Sequence, residues 1–240
     1  VIRNWPESLF NGSHLGGRAH LRVADGRAIP VDVAPWHDAP SPVDRDALAR
    51  VVGPVLDIGC GPGRHVLALV QRDHEAVGID VSPAAVRTAR RRGAPAVRVS
   101  VWGAVPRAGH WGTALLLDGN IGIGGDPVAL LRRTGELLGS PGRVIVELAS
   151  VPERGGTHLV RVEHRGVAGP WFAWATVTAD DIGPVAAASG FALVETWSAP
   201  VAAGAPDRVF CLLAREVAPA GAAPSAQDGG HVPHRARRPA

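Results

Sequence analysis

The chain has 240 residues, 46% of them hydrophobic, with 25 basic residues against 22 acidic for a formal net charge of +3, and two cysteines. That length suits one soluble domain with room for a substantial core, and no apolar run approaches the ~18–20 residues of a membrane span. Cys60 and Cys211 are isolated, which argues against a disulfide framework, and Arg3, Asn4, Glu7 and Asn11 break up any secretory pattern, so a cytoplasmic location is expected.

In chain order, residues 1–40 contain HLRVADGRAIPVDV, which predicts a hairpin about Asp25-Gly26. With Trp5, Phe10 and Trp36 this segment is expected to cap a site. A strand follows at 54–57, then glycines at 59, 61 and 63, then a helix over 63–71. A second strand, 76–80, ends in Asp80. Ser82 caps and Pro83 opens a helix running to about Arg92, closed by Gly93. Further strands are expected at Ala96–Val101 and Ala114–Leu117. Asp126-Pro127 starts another helix, with Asp126 as its N-cap, and Arg143–Leu148 is a fifth strand. An insertion over 157–177 is read as two strands, His158–His164 and Trp171–Val177. Trp171 and Trp174 are expected to share one face and line an apolar pocket. A helix at Ala179–Ser189 and strands at Phe191–Trp197 and Val209–Ala214 complete the pattern. Alternating strand and helix predicts a doubly wound α/β sheet, mostly parallel.

The charge has no nucleic-acid footprint. All basic residues are arginine, and Arg235, Arg237 and Arg238 against Asp228 give residues 217–240 a net +2, leaving +1 on the first 216. A nucleic-acid groove needs basic residues clustered on a folded face. The tail, rich in Pro, Gly and Ala without periodicity, is expected to be disordered.

The glycine turn carries most of the functional information. Glycine lets a ligand approach the main chain closely, and the helix behind it begins with unpaired N–H groups. An acid at the tip of the next strand is placed to accept hydrogen bonds from ribose hydroxyls. The dinucleotide fingerprint G-x-G-x-x-G fails, because its third small position is Arg64 or Val66. The phosphate loop fails for want of any lysine. What remains is acid-x-G-x-G-x-G, which suits a cofactor with a positive end and no phosphates.

With Asp57, Gly59, Gly61 and Gly63 in the loop and Asp80 beyond it, the chain resembles the class I S-adenosylmethionine-dependent methyltransferases over residues 51–215. The resemblance implies a Rossmann-like sheet of seven strands with a terminal antiparallel hairpin, S-adenosyl-L-methionine as cofactor, and an N-terminal segment 1–40, a methyltransferase domain 41–216 and a tail 217–240. Cofactor contacts are expected from Asp57, Gly59, Cys60, Gly61, Gly63, Asp80 and Val81, from Ser100, Val101 and Trp102 near the adenine, and from Asp118 and Gly119 at the amino-acid end. Ser100 stands where the family often has an aspartate, so the adenine is left to a backbone N–H near Val101 or Trp102. The glycine-rich string 118–127 resembles that of small bacterial members. It lacks the [D/N]-P-P-[Y/F] motif of amino-methylating DNA enzymes, and Asn120 is expected to orient a substrate atom.

The expected activity is in-line methyl transfer to a small molecule. Methylation of protein or RNA, or a catalytically inactive cofactor-binding regulator, remain alternatives. No residue is required as a base; His20, His110 and Asp118 are candidates. Metal ligation and a G-x-S-x-G hydrolase elbow find no support, and the oligomeric state is not encoded in any pattern.

Overall fold

The structure, a computed structural model, describes residues 19–150, 155–201 and 206–215. Trp5, Phe10 and the tail lie outside these.

The Asp25-Gly26 turn joins β1 (Ala19–Val23) to β2 (Ala28–Val31), with Gly26 at φ +98°. A short α1 (Ala34–His37) leads to α2 (Pro42–Leu48), which opens with a reciprocal cap: Ser41 Oγ accepts from the Asp44 N–H, and Asp44 accepts from the Ser41 N–H. The nucleotide-type half follows as β3 (Val55–Ile58), α3 (Arg64–Val70), β4 (Ala76–Asp80), α4 (Pro83–Arg91) and β5 (Ala96–Arg98). Ser82 caps α4 by accepting from the Ala85 N–H at 3.2 Å. Next come β6 (Trp111–Leu116), a 3₁₀ turn at Asn120–Gly122, and α5 (Pro127–Leu137), capped by Asp126, which accepts from the Ala129 N–H at 2.9 Å. The remaining elements are β7 (Leu138–Leu148), β8 (Gly156–His164), β9 (Val167–Ala168), β10 (Phe172–Thr176), α6 (Ile182–Ala188), β11 (Phe191–Ala199) and β12 (Arg208–Arg215).

The main sheet has the order β11-β12-β7-β6-β3-β4-β5, parallel except for β12, which runs antiparallel to both β7 and β11. Strand direction explains its continuous apolar runs. Leu56, Leu116 and Val144 face one core, whereas their neighbours Val55, Leu115 and Ile145 face the other, and all six are buried. Strands covered on both faces need no polar alternation. The winding reverses between β3 and β6, the place where open α/β sheets hold ligands.

Three strand boundaries in the main sheet differ from expectation by three residues or more, and the helix expected from Ala179 begins at Ile182. The third strand stops at Arg98, and residues 99–101 bend away towards the cavity described below. The fourth begins at Trp111, whose indole is wholly buried and donates to the Pro106 carbonyl. The fifth begins at Leu138, because the register with β6 slips between Trp111 and Thr113. The turn-forming residues Gly139–Gly142 therefore form an irregularity inside the strand rather than ending it.

A second, antiparallel sheet, β10-β8-β1-β2 with β9 on β8, unites the N-terminal hairpin with the insertion through β1 and β8. Its inner face, including Val23, Val160, Val162 and Phe172, packs with Ala84 and Ala85 at the start of α4. It thus stands beside the carboxyl ends of the main strands. The glycine-rich string makes the other contact. A Cβ on Gly122 would collide with the Ala175 carbonyl, and one on Gly125 would lie 2.6 Å from the Ala173 side chain. An isolated bridge joins Ile123 to Trp174. These glycines let the loop lie flat against β10.

Candidate functional site

A cavity of about 700 Å³ opens between the second sheet and the carboxyl ends of β3, β4 and β6. Its floor is the glycine turn from Gly59 to Pro62. Asp80, at the end of β4, binds this turn: one carboxylate oxygen accepts from the Gly61 N–H at 3.0 Å and the other from the Ser82 N–H at 2.7 Å. Burial pushes the Asp80 carboxyl above the usual carboxylate range, against the pull of those N–H groups. Cys60, Val81, Ser100, Val101 and Trp102 also line the cavity. The Ser100 hydroxyl accepts from the Trp102 N–H, and the Trp102 ring stands at the rim, 48% exposed.

Asp57, Gly63 and Gly119 are placed nearby but do not line the cavity. Gly63 begins α3 and Gly119 sets the turn after β6. Asp57 is buried and faces the His65 ring, with Oδ2 at 3.8 Å from Nδ1. The other ring nitrogen lies 3.6 Å from Asp44. Burial opposes charge on His65, but the two carboxylates prevail and push the imidazole up to about 9.

Asp44 is the hub of a wider ionic network that the sequence reading missed. Its oxygens accept from Arg64 at 3.0 Å and Arg208 at 2.7 Å. Arg64 also reaches Asp118 at 2.6 Å, and Arg208 grips Glu147 with two bonds of 2.7 Å. Glu147 in turn accepts from the Asp118 N–H. Burial works against the Asp44 charge, yet His65, Arg64 and Arg208 hold its carboxyl far below the ordinary range. The network fastens α2, α3, β7 and β12 behind the cavity. A signal existed in the sequence: Arg64-His65 puts two basic residues in the first turn of a helix, the end that disfavours cations, so carboxylates had to stand near them.

On the opposite wall, Trp171, Phe172 and Trp174 line the cavity with Trp36. The expected face-sharing is corrected: Phe172 and Trp174, two residues apart, lie together with ring centroids 6.1 Å apart, edge to face. Strand period is two, so a spacing of three cannot share a face, and Trp171 precedes the strand, covered by Arg161 at 4.8 Å. Of the three candidate bases only Asp118 lines the cavity. His110 is exposed just ahead of β6, away from the carboxyl ends.

Residues 55–105 match the family described as a methyltransferase domain. The strand order and direction, with the glycine turn at the reversal, agree with that match. The main sheet has the Rossmann-like methyltransferase fold. Similar solved folds include a SAM-dependent methyltransferase from Bacteroides fragilis in complex with S-adenosyl-L-homocysteine, at a TM-score of 0.71, 22% identity and coverage of 88% of this chain and 92% of that one. The 1,6-didemethyltoxoflavin-N1-methyltransferase of Burkholderia thailandensis follows at 0.55, 19% identity, 76% and 81%. A sugar N-methyltransferase from Streptoalloteichus is similar at 0.53, 18% identity, 72% and 85%.

In this fold Asn120 has a role that the sequence reading did not assign. Its side-chain amide donates to the carbonyls of Ile58 and Gly59, at 2.9 and 3.1 Å, tying the loop after β6 to the glycine turn. Asn120→Ala is expected to cost about 1–2 kcal/mol in a denaturant melt, the scale of lost hydrogen bonds to partly buried carbonyls. An unchanged midpoint would show that the tie is not formed.

Proposed function

We propose that the protein is an enzyme that transfers a methyl group from S-adenosyl-L-methionine to a small molecule, working in the cytoplasm. The observation that carries this reading is Asp80, fixed by the Gly61 and Ser82 N–H groups at the reversal of the sheet, beside a glycine turn on a cavity of about 700 Å³. Bound S-adenosyl-L-methionine supplies a sulfonium-activated methyl group.

The residues present fit such a group. Asp80 accepts from the ribose hydroxyls, and Gly59, Cys60 and Gly61 leave the main chain open beneath it. Val81, Ser100, Val101 and Trp102 border the adenine. Asp57 and Gly63 act behind this surface, through His65 and through the start of α3. Asp118 and Gly119 serve the amino-acid end, where Arg64 has a buried Nε without a hydrogen-bond partner, suited to a carboxylate. The network there holds four carboxylates (Asp44, Asp57, Asp118, Glu147) against Arg64, Arg208 and a charged His65, a balance of −1 that favours a positive sulfonium end.

The domain's contribution to rate is alignment and exclusion of water. The loop Asp118–Gly125 and the aromatic wall enclose the position of the acceptor, and Asp118 is the carboxylate available to orient its proton. The size of the cavity, about 700 Å³, and the small-molecule acceptors named for two similar folds support a small substrate over protein or RNA.

Asp80→Ala is expected to weaken S-adenosyl-L-homocysteine binding by roughly 1.5–3 kcal/mol, the scale of hydrogen bonds to a charged group. Unchanged calorimetric affinity would remove Asp80 from the ribose. The activity itself is tested by incubating the protein with methyl-labelled cofactor and fractionated extract of the cells that make it. Label in a small-molecule fraction is expected. Label only in protein or RNA, or cofactor binding without any transfer, would favour the respective alternative.

A further inference from the structure

The chain is poor in aromatic residues, with seven Trp and four Phe, yet five of these eleven line one cavity: Trp36, Trp102, Trp171, Phe172 and Trp174. Trp102 and Trp171 remain 48% and 41% exposed there, although burying such rings is strongly favourable. Trp102 and Trp174 stand on either side of the glycine-rich loop: a Cβ on Gly124 would touch the Trp102 ring at 3.6 Å, and Ile123 bridges to Trp174. Indole faces stack on flat rings and attract cations.

The charges of the lining have one sign to spare. Asp32, Asp80 and Asp118 face the cavity against a single basic residue, Arg64, a balance of −2. Arg64 is already engaged by Asp44 and Asp118. Asp32 sits at the open edge, where one oxygen accepts from the Ala34 N–H. Arg161, over the Trp171 ring, is a further cation on this wall and is paired with Glu163. Among the described residues an anionic acceptor would therefore meet carboxylates and cations already held in ion pairs, and desolvating it there would go uncompensated.

Resting on the methyltransferase reading above, we infer that the methyl acceptor is a flat aromatic or heteroaromatic molecule, neutral or cationic, held by Trp36, Trp171 and Trp174 opposite the adenine side, and that the carboxylates of the lining exclude anionic analogues. The acceptor class is thereby narrowed away from phosphorylated metabolites, carboxylic acids and unsubstituted sugars.

Equilibrium dialysis of the protein, with and without saturating S-adenosyl-L-homocysteine, against quinoline, 1-methylquinolinium and 2-naphthoate tests this with three bicycles of matched size and differing charge. The two non-anionic probes are expected to bind at least tenfold tighter than 2-naphthoate. Trp171→Ala should lower quinolinium affinity at least fivefold with melting little changed, and Asp32→Asn should narrow the gap between cation and anion at least threefold. Equal or tighter binding of 2-naphthoate, or no binding of any bicycle by a protein that binds S-adenosyl-L-homocysteine, would overturn the inference. Retained quinolinium binding by a protein that fails to bind S-adenosyl-L-homocysteine would instead overturn the methyltransferase reading, and with it the assignment of this ring site to a methyl acceptor.

Discussion

Asp44→Asn is expected to destabilise the protein by about 3–5 kcal/mol, the cost of removing one partner from a buried ionic network. The carboxylate is fully buried and faces Arg64, Arg208 and His65. An amide of the same shape leaves the buried Arg64 and His65 and the partly buried Arg208 sharing the remaining acids. For a domain of this size that corresponds to a melting point lower by roughly 10 °C. Because Arg64 also holds Asp118, cofactor affinity should fall with stability. A variant that melts within a degree of the parent would show that the network is not formed.

Stability should also decline as pH rises from 6.5 to 9. His65 has a folded-state value of about 9 against an ordinary 6.5, so the folded state holds the proton more tightly. Its stabilisation is complete below 6.5 and is lost as pH rises through 9, up to roughly 3 kcal/mol in all. The buried thiols act in the same direction at higher pH: burial pushes Cys211 up to about 12 and Cys60 well above its ordinary value of 9, so their loss begins above 9. Asp44 works at the acid end, where its depressed value means stability lost as pH falls below the usual carboxylate range. Denaturant melts across pH 6–9 on the parent and His65→Gln separate the contributions. The variant should be flat over that window, and an equal slope in both would remove His65 from the network.

What the sequence made legible was local. The turn at Asp25-Gly26, the caps at Ser82 and Asp126, the glycine turn and the acid at Asp80 are signals written within a few residues, and each element formed where it was read. What stayed hidden depends on distant partners. Nothing in Ala19–Val23 names β8, whose paired residues begin at His164, so the hairpin and the insertion were read apart although they form one sheet. The bond from Arg208 to Asp44 spans 164 positions. Nothing local shows why glycine stands at 122 and 125, because what they pack against is β10, about fifty residues later. Asn120 looked free for substrate because its acceptors lie on β3 and the glycine turn, about sixty residues earlier.

The central claim is that the glycine turn and Asp80 hold a sulfur nucleoside. Calorimetric titration of the protein with S-adenosyl-L-methionine and, separately, with NAD tests it most directly. Saturable one-to-one binding of S-adenosyl-L-methionine is expected and none of NAD, because Arg64 or Val66 occupies the third small position of the dinucleotide fingerprint. Binding of NAD with no response to S-adenosyl-L-methionine would contradict it.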